Sequence, residues 1–153
     1  IAHYDYRLLR GYSYEQAFNV MRGLRLSYQE AQEMFHRVVF NVVMRNQDDH
    51  TKNISFLMDK QGKWRLSPAY DMGYACNPNG AWTSAHQMSV NGKFDDITRA
   101  DLLELAARNN IRNAGQIIDK VCDTCAGWPK IAKECDVPKK MIDKIVPNLQ
   151  LVL

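Results

Sequence analysis

The stretch Asn46-Gln47-Asp48-Asp49-His50-Thr51-Lys52-Asn53 decides how this chain is interpreted. It contains no apolar residue, and it follows residues 27–45, where apolar side chains recur at steps of three and four. That spacing predicts an amphipathic helix, so the polar stretch is predicted to be the loop at its end. Residues 54–58 and 63–66 then form short β-type runs around a turn at 59–62, which predicts a hairpin.

Asp71 lies just beyond the predicted hairpin. Because a hairpin folds its ends together, Asn53 before the first strand and Asp71 after the second are predicted to be neighbours, with Asp48 close by. Magnesium prefers oxygen ligands, which carboxylate and amide side chains supply. A second carboxylate beside an acceptor hydroxyl can orient that hydroxyl and take its proton. Protein kinases place four residues between the catalytic-loop Asp and the metal-binding Asn, the separation seen between Asp48 and Asn53, and a metal-binding Asp follows later.

Two sequence motifs carry a resemblance to a known family. Residues 46–53 resemble the N-x-D-x-H-x-K-N signature of the HipA family of toxin kinases, and residues 64–71 resemble that family's W-x-L-x-P-x-Y-D run. Residues 89–93 and 97–103 are similar to a third family segment. The resemblance is good from about residue 38 to about residue 111 and looser elsewhere.

The resemblance implies a serine/threonine protein kinase that transfers the γ-phosphate of ATP with the help of Mg²⁺. It implies Asp48 as the catalytic base, and Asn53 and Asp71 as magnesium ligands within the ATP site. Lys52 is expected either to touch a phosphate of the nucleotide or to brace the loop. His50 is expected to pack the loop through side-chain hydrogen bonds.

The resemblance also implies partners. Family members phosphorylate serine or threonine on proteins, and known ones act on an aminoacyl-tRNA synthetase and so halt translation. They are toxins of type II toxin–antitoxin modules and pair with a helix-turn-helix, HipB-like antitoxin, through which any contact with DNA is indirect. No membrane partner is expected, since no run approaches the roughly 18–20 apolar residues of a membrane span. The N-terminus lacks the pattern of a signal peptide, so a cytoplasmic location is expected.

The expected fold is mainly α within the α+β class. It is a protein-kinase-like helical C-terminal lobe over residues 1–153, with a small β-hairpin that bears the catalytic and metal-binding loops. Ser13, Ser27 and Thr98 are predicted to cap helices. Residues 1–47 contain neither a glycine-rich phosphate loop nor the strand lysine that kinases use. The N-terminal nucleotide-binding lobe is therefore expected to be absent, and this chain alone is expected to bind Mg-ATP weakly without turnover.

Two other interpretations stay open. A detached, non-catalytic lobe could act as a binding module for an antitoxin/DNA complex through its C-terminal helices. A kinase-fold enzyme for lipids or small molecules would share the same metal site. The presence of Asp48, Asn53 and Asp71 together favours the protein kinase, because a binding module has no physical need for all three.

Composition restricts the remaining possibilities. The chain has 153 residues and a net charge of +3, with basic residues scattered among acidic ones, which does not indicate a nucleic-acid binder. Cys122 and Cys125 form a C-x-x-C that is either half of a zinc or redox site or two small side chains one helical turn apart. Only Cys135 is near them in sequence, which favours the second possibility.

Several residues have weaker expectations. Asp49 is expected to face solvent or to cap a backbone amide, and Lys93 is expected to be solvated. Trp64 and Trp82 are expected to pack against the core. Residues 73–85 are predicted to be irregular, either as an analogue of a kinase activation loop or as an ordinary surface loop.

Overall fold

The computed structural model describes residues 2–153 and builds them from six α-helices and two two-stranded sheets. The helices are α1 (Tyr14–Gly23), α2 (Tyr28–Val43), α3 (Arg99–Arg108), α4 (Ala114–Ala126), α5 (Trp128–Glu134) and α6 (Lys139–Ile145). The strands are β1 (Tyr12–Ser13), β2 (Phe56–Met58), β3 (Trp64–Leu66) and β4 (Met88–Ser89). Short 3₁₀ turns span Thr51–Asn53 and Val146–Asn148. The predicted α+β class is confirmed at this level.

Three helices begin at capping boxes, in which a hydroxyl and a side chain three residues later each accept a hydrogen bond from the other's backbone N–H. The pairs are Ser13 with Gln16, Ser27 with Glu30, and Thr98 with Asp101. All three predicted caps are confirmed. Asn113 precedes α4, but its backbone is left-handed, with φ 57°, and its side chain makes no capping hydrogen bond.

Helix α2 is the centre of the core. Its side chains Phe35, Val38, Val39, Val42 and Val43 are fully buried. The helix packs chiefly against α4, and α1 covers another part of it. Burying one such side chain is worth about 1.5–3 kcal/mol, so this stripe fixes the helix firmly. The polar loop that follows therefore starts from a rigid point.

The hairpin forms as predicted, with β2 antiparallel to β3 and Phe56 opposite Leu66. Gly62 takes the left-handed backbone, φ 79°, that its turn requires. The other sheet joins β1 to β4 in parallel, with Tyr12 beside Met88. Strand β1 is not predicted from the sequence, because two residues carry no periodic signal.

The expectations for single residues have different outcomes. Lys93 is exposed as expected, and its Nζ also lies 2.8 Å from Asp101 Oδ2. Trp82 does not pack into the core, for 51% of its surface is exposed, whereas Trp64 is half-buried. Residues 73–85 are irregular as predicted apart from a single β-bridge at Ala75.

Cys122 and Cys125 behave as small side chains of the core. Cys125 is buried and Cys122 half-buried on α4. Burial raises the pKa of the Cys125 thiol to about 11, so it stays protonated at neutral pH. Within residues 2–153 no group of three or more His, Cys, Asp or Glu side chains is placed to hold a metal ion. In the same part of the chain, no helix has both the length and the apolar content to cross a membrane.

Asp101 at the start of α3 gives a test of helix capping. Burial alone would raise its pKa, but hydrogen bonds from Lys93, Thr98 and Asn91 hold the pKa of this carboxyl well below its usual range. Asp101→Asn should lower the free energy of unfolding at pH 7 by about 1–2 kcal/mol, the usual cost of a lost cap. Urea unfolding followed by circular dichroism measures it.

The pH dependence has a definite sign. The stabilisation by the Asp101 carboxylate is fully present above the pKa of an unfolded Asp, about 4, and fades as pH falls towards the lower folded pKa. The stability gap between the native protein and Asp101→Asn should therefore narrow below about pH 4. Asp123→Asn, at an exposed position of α4, is the control and should stay within about 0.5 kcal/mol at pH 7. A gap that is unchanged in acid would contradict the ionic cap.

Candidate functional site

The loop after α2 is held together by its own backbone. The Asp48 carbonyl oxygen accepts from the His50 N–H at 2.9 Å and from Asn53 Nδ2 at 2.9 Å. The Asn53 N–H donates in turn to the His50 carbonyl at 2.9 Å. Because Nδ2 of Asn53 is committed to Asp48, its amide oxygen Oδ1 faces the other way, and no group within residues 2–153 donates to it. Asn53 Oδ1 is therefore held in place as an acceptor without a donor in this part of the chain.

Asp71 returns to this loop at the far end of the hairpin. Its carbonyl oxygen accepts from Asn46 Nδ2 at 3.2 Å, and the neighbouring Tyr70 hydroxyl donates to the Lys52 carbonyl. The structure thus places Asp71 against the loop that carries Asp48. The Asp71 side chain is exposed, and its carboxylate accepts no hydrogen bond from residues 2–153.

A parallel β-bridge extends this contact. The Gln47 N–H donates to the Ala75 carbonyl at 3.0 Å, and the Ala75 N–H donates to the Arg45 carbonyl at 3.1 Å. Asp71, which lies four residues before Ala75, has a left-handed backbone with φ 54°. Asp is one of the few residues other than Gly that tolerates this conformation, at a cost of order 1 kcal/mol. Backbone strain held by its surroundings is common at functional sites.

The Asp48 carboxylate remains available to solvent. Its side chain is 48% exposed, and His50 Nε2 lies 4.0 Å from Oδ1. The expected hydrogen-bonding role of His50 is not what the structure shows. The ring packs edge-on against Tyr6 at 5.7 Å, and its buried Nδ1 has no hydrogen-bond partner in the described chain.

Lys52 contacts an aromatic ring rather than an acid. Its Nζ lies 3.7 Å from the centre of the Tyr6 ring, a cation–π contact. The pKa of Tyr6 is lowered, first by the hydrogen bond with Arg7 and then by the charge of Lys52. The Lys52 side chain is exposed, so its ammonium can still meet an anionic ligand.

Asp49 differs most from its expectation, because it is buried rather than solvated. Its Oδ2 accepts from the Tyr14 hydroxyl at 2.7 Å and from His86 Nδ1 at 2.8 Å, and its Oδ1 accepts from the Gln87 N–H at 2.7 Å. The Asp49 side chain is 1% exposed. The alternative expectation, a cap on a backbone amide, describes one of its three contacts.

A line of buried polar groups continues from Asp49. Asn41 Nδ2 donates to the Tyr14 hydroxyl at 2.9 Å, and Asn46 Nδ2 donates to Asn41 Oδ1 at 2.9 Å. Burial and the charge of Asp49 raise the pKa of Tyr14 well above its usual range. Tyr14, Asn41 and His86 are not predicted from the sequence to belong to the site. The available signal was Asn41, a polar residue within the apolar stripe of α2.

Three buried polar atoms in the loop have no hydrogen-bond partner within residues 2–153: Gln47 Oε1, His50 Nδ1 and Thr51 Oγ1. Such groups are few in native proteins, and each calls for an explanation. Their concentration in five consecutive residues is what a site that binds water, ions or ligand would show.

A pocket of about 390 Å³ adjoins the loop. Its wall includes Thr51 and Lys52 of the loop, Phe56 of β2, Val20 of α1 and Tyr4 of the N-terminal segment. That volume lies within the range of small-molecule sites, which combine apolar walls with a few polar groups. Thr51, Lys52, Ser55 and His3 are among the polar residues here.

The donor set fits Mg²⁺. Asn53 Oδ1 and the Asp71 carboxylate are oxygen atoms of the kind that Mg²⁺ binds, and no group within the described chain donates a hydrogen bond to them. Mg²⁺ typically takes one or two protein ligands and completes its shell with water and substrate phosphates, so a two-residue site is sufficient.

Comparison with known proteins agrees with the two sequence motifs. A family model described as the HipA-like C-terminal domain matches residues 1–128. The chain belongs to this family. The resemblance inferred from residues 46–53 and 64–71 is thereby confirmed.

A curated relative of the chain is named as a putative kinase. The protein named "Putative kinase Y4dM" of Sinorhizobium fredii (strain NBRC 101917 / NGR234) is 29% identical over an alignment that covers 84% of this chain. The same alignment covers 33% of that relative, so this HipA-like chain spans about a third of its length.

Alanine substitutions at the neighbouring residues Asp48 and Asp49 should lower the free energy of unfolding by very different amounts. Asp49→Ala leaves Tyr14, His86 and the Gln87 N–H without their buried acceptor, so it should lower the free energy of unfolding by about 3 kcal/mol or more. Asp48→Ala removes a half-exposed group and should cost less than about 1 kcal/mol. Urea unfolding of the two variants tests this difference, and equal losses would contradict the assigned environments.

Proposed function

We propose that this HipA-like domain is the C-terminal catalytic lobe of a Ser/Thr protein kinase, with the helical architecture of a kinase C-lobe. It transfers the γ-phosphate of ATP to a serine or threonine hydroxyl. The observation that carries the proposal is the 2.9 Å hydrogen bond from Asn53 Nδ2 to the backbone carbonyl of Asp48, which fixes the candidate metal ligand to the backbone of the candidate base. The contact between Asn46 and the Asp71 carbonyl supports it by adding the second candidate ligand.

Asp48 is the proposed base. Its half-exposed carboxylate is accessible to an incoming hydroxyl, while its backbone is fixed by the hydrogen bonds from His50 and Asn53. Asp48 orients the hydroxyl and accepts its proton as the oxygen–phosphorus bond forms and the bond from phosphorus to ADP breaks. The phosphoryl transfer leaves a phosphoserine or phosphothreonine and ADP, with the hydroxyl proton on the Asp48 carboxylate.

Asn53 and Asp71 are the proposed magnesium ligands. The bound ion would neutralise charge on the phosphates, as it does in other phosphoryl-transfer enzymes. Lys52 would add a further positive charge, since its side chain is exposed and lies at the wall of the pocket. That 390 Å³ pocket is the proposed place for the nucleotide base.

We further propose partners on the strength of the family. The protein would be the toxin of a type II toxin–antitoxin pair. Any contact with DNA would be made by its HipB-like antitoxin. Its substrate would be a protein of the translation machinery, such as an aminoacyl-tRNA synthetase. That target would place the activity in the cytoplasm.

A non-catalytic binding role has one supporting observation. Ile131 on α5 and Met141 on α6 are each about half exposed, and both lie beyond the residues that match the family model. Such apolar side chains could contact a partner protein. If that were the whole function, alanine at Asp48 would leave every activity of the protein unchanged.

Three substitutions test the catalytic proposal in the full-length protein. Asp48→Ala, Asn53→Ala and Asp71→Ala should each reduce phosphate transfer by at least about 100-fold, the scale expected for a lost base or metal clamp. The measurement is incorporation of labelled phosphate from ATP. Asp123→Ala, at an exposed carboxylate of α4, is the matched control and should retain full activity. Activity retained by Asp71→Ala would refute the assignment of this residue as a metal ligand.

The isolated 153-residue chain gives a separate test. It should bind Mg-ATP weakly and transfer no phosphate, because neither a glycine-rich phosphate loop nor a strand lysine occurs in residues 1–47. Calorimetry measures the binding, and labelled ATP measures the transfer. Robust incorporation of phosphate by this chain would overturn the expectation.

A further inference from the structure

We propose that the hydrogen-bond chain from Asn46 through Asn41 and Tyr14 to Asp49 is a positioning device that holds the Asp71 segment against the Asp48 loop. This inference rests on the proposed function, in which Asp71 and Asp48 must act on the same phosphate. None of the four residues touches a substrate in this scheme. They act on the reaction only through the geometry of Asp48 and Asp71.

The direction of every bond in the chain is determined. An ionised carboxylate can only accept, so the Tyr14 hydroxyl must give its single proton to Asp49. The Tyr14 oxygen can then only accept, and it does so from Asn41 Nδ2. Asn41 therefore presents Oδ1 to Asn46 Nδ2, whose second proton goes to the Asp71 carbonyl. Reversing any link would leave two donors or two acceptors facing each other.

The hydrogen-bond chain is also shielded from water. Tyr14, Asn41, Asn46 and Asp49 are all buried. A buried polar group cannot exchange its partner for a water molecule, so a break in the chain is costly and the arrangement has few alternatives. Linked hydrogen bonds in such surroundings also polarise one another. The chain can therefore transmit position from the Asp49 end to the Asp71 end.

The Asp49 end is fixed to another part of the fold. His86 and the Gln87 N–H hold the carboxylate, and both precede β4 directly. Strand β4 pairs with β1, which leads straight into Tyr14 at the start of α1. Tyr14 and the two donors before β4 thus form a rigid corner of the molecule. The polar chain connects this corner to the Asp71 carbonyl.

The consequence for Asp48 follows from its place in the sequence. Asn46 and Asp49 lie on either side of it and are both held by buried hydrogen bonds, whereas the Asp48 side chain is 48% exposed. The backbone of the proposed base is therefore clamped on both sides while its carboxylate stays free for substrate. The same Asn46 that clamps it also holds Asp71, whose left-handed backbone needs external support.

Tyr14→Phe in the full-length protein tests the device. It keeps the buried ring and removes only the hydroxyl, so Asn41 Nδ2 loses its acceptor and Asp49 loses one donor. In metal-free protein, hydrogen exchange of the Gln47 and Ala75 amides should accelerate about tenfold, the scale of one lost hydrogen bond. These two amides form the bridge between the loops. Exchange of the amides in the β2–β3 hairpin and in α4 should stay unchanged.

Tyr28→Phe is the matched control. Its hydroxyl accepts from the Arg112 N–H at 3.0 Å, outside the polar chain, so its removal should leave the Gln47 and Ala75 amides as they are in the native protein. Asn41→Leu, which has nearly the same shape as Asn, breaks the chain at its middle link. It should reproduce the effect of Tyr14→Phe, and it serves in place of that variant if the latter fails to fold.

A second measurement separates positioning from general destabilisation. In phosphate transfer, Tyr14→Phe should raise the Mg²⁺ concentration for half-maximal rate about tenfold and leave the rate at saturating Mg²⁺ within about threefold, in line with one lost hydrogen bond. A variant that is merely less folded would lose rate equally at every Mg²⁺ concentration. Uniform acceleration of exchange across the hairpin and α4, or an unchanged Mg²⁺ dependence, would overturn the inference.

The two proposals fail in different ways. If the native full-length protein transfers no phosphate, the proposed function is refuted, and with it the catalytic purpose of the chain. If the native protein is active but Tyr14→Phe exchanges at Gln47 and Ala75 as the native protein does, only the positioning device is refuted.

Discussion

The buried carboxylate of Asp49 is the constraint on which the rest of the site depends. Removing a charged group from water is expensive unless donors replace the lost hydration. Asp49 obtains three donors from two parts of the chain that are far apart in sequence, Tyr14 and the segment of His86 and Gln87. Because these donors are needed at once, one acid fixes how α1, the loop after α2 and the approach to β4 meet. The need to hydrogen-bond the Asp49 carboxylate thus determines the arrangement of the site, and the apolar core of α2 supplies the rigid base beneath it.

Much of the fold could be predicted because its signals are local. The hydroxyls of Ser13, Ser27 and Thr98 cap helices through bonds that span three residues, and the hairpin turn needs only Gly62 at the right place. The approach of Asp71 to the loop could also be predicted, because a hairpin brings its two ends together. Family membership followed from the same two segments.

What could not be predicted depends on contacts between distant residues. Asp48 and Asp49 are chemically identical in the sequence, and only the position of Tyr14 and His86 decides which of them is buried. Strand β1 consists of two residues, and its pairing with β4 crosses more than seventy positions of the chain. Lys93 reads as an ordinary surface lysine until Asp101 is seen at 2.8 Å. In each case the partner, and not the residue itself, carries the information.

The hairpin between the loop and Asp71 has a consequence for variation among relatives. Its base is closed by a hydrogen bond between Ser55 and Ser67 and is tied to α2 by the bond from the Leu66 N–H to Glu30, while the turn at Asp59–Gly62 is exposed. Strands can lengthen or shorten in pairs at that tip without moving Asp71. Between Asn46 and Asn53 the opposite holds, since one inserted residue would exchange the places of Asp48 and Asp49. Evolution, or a protein engineer who wants to graft an affinity tag, therefore has freedom at one end of this segment and none at the other.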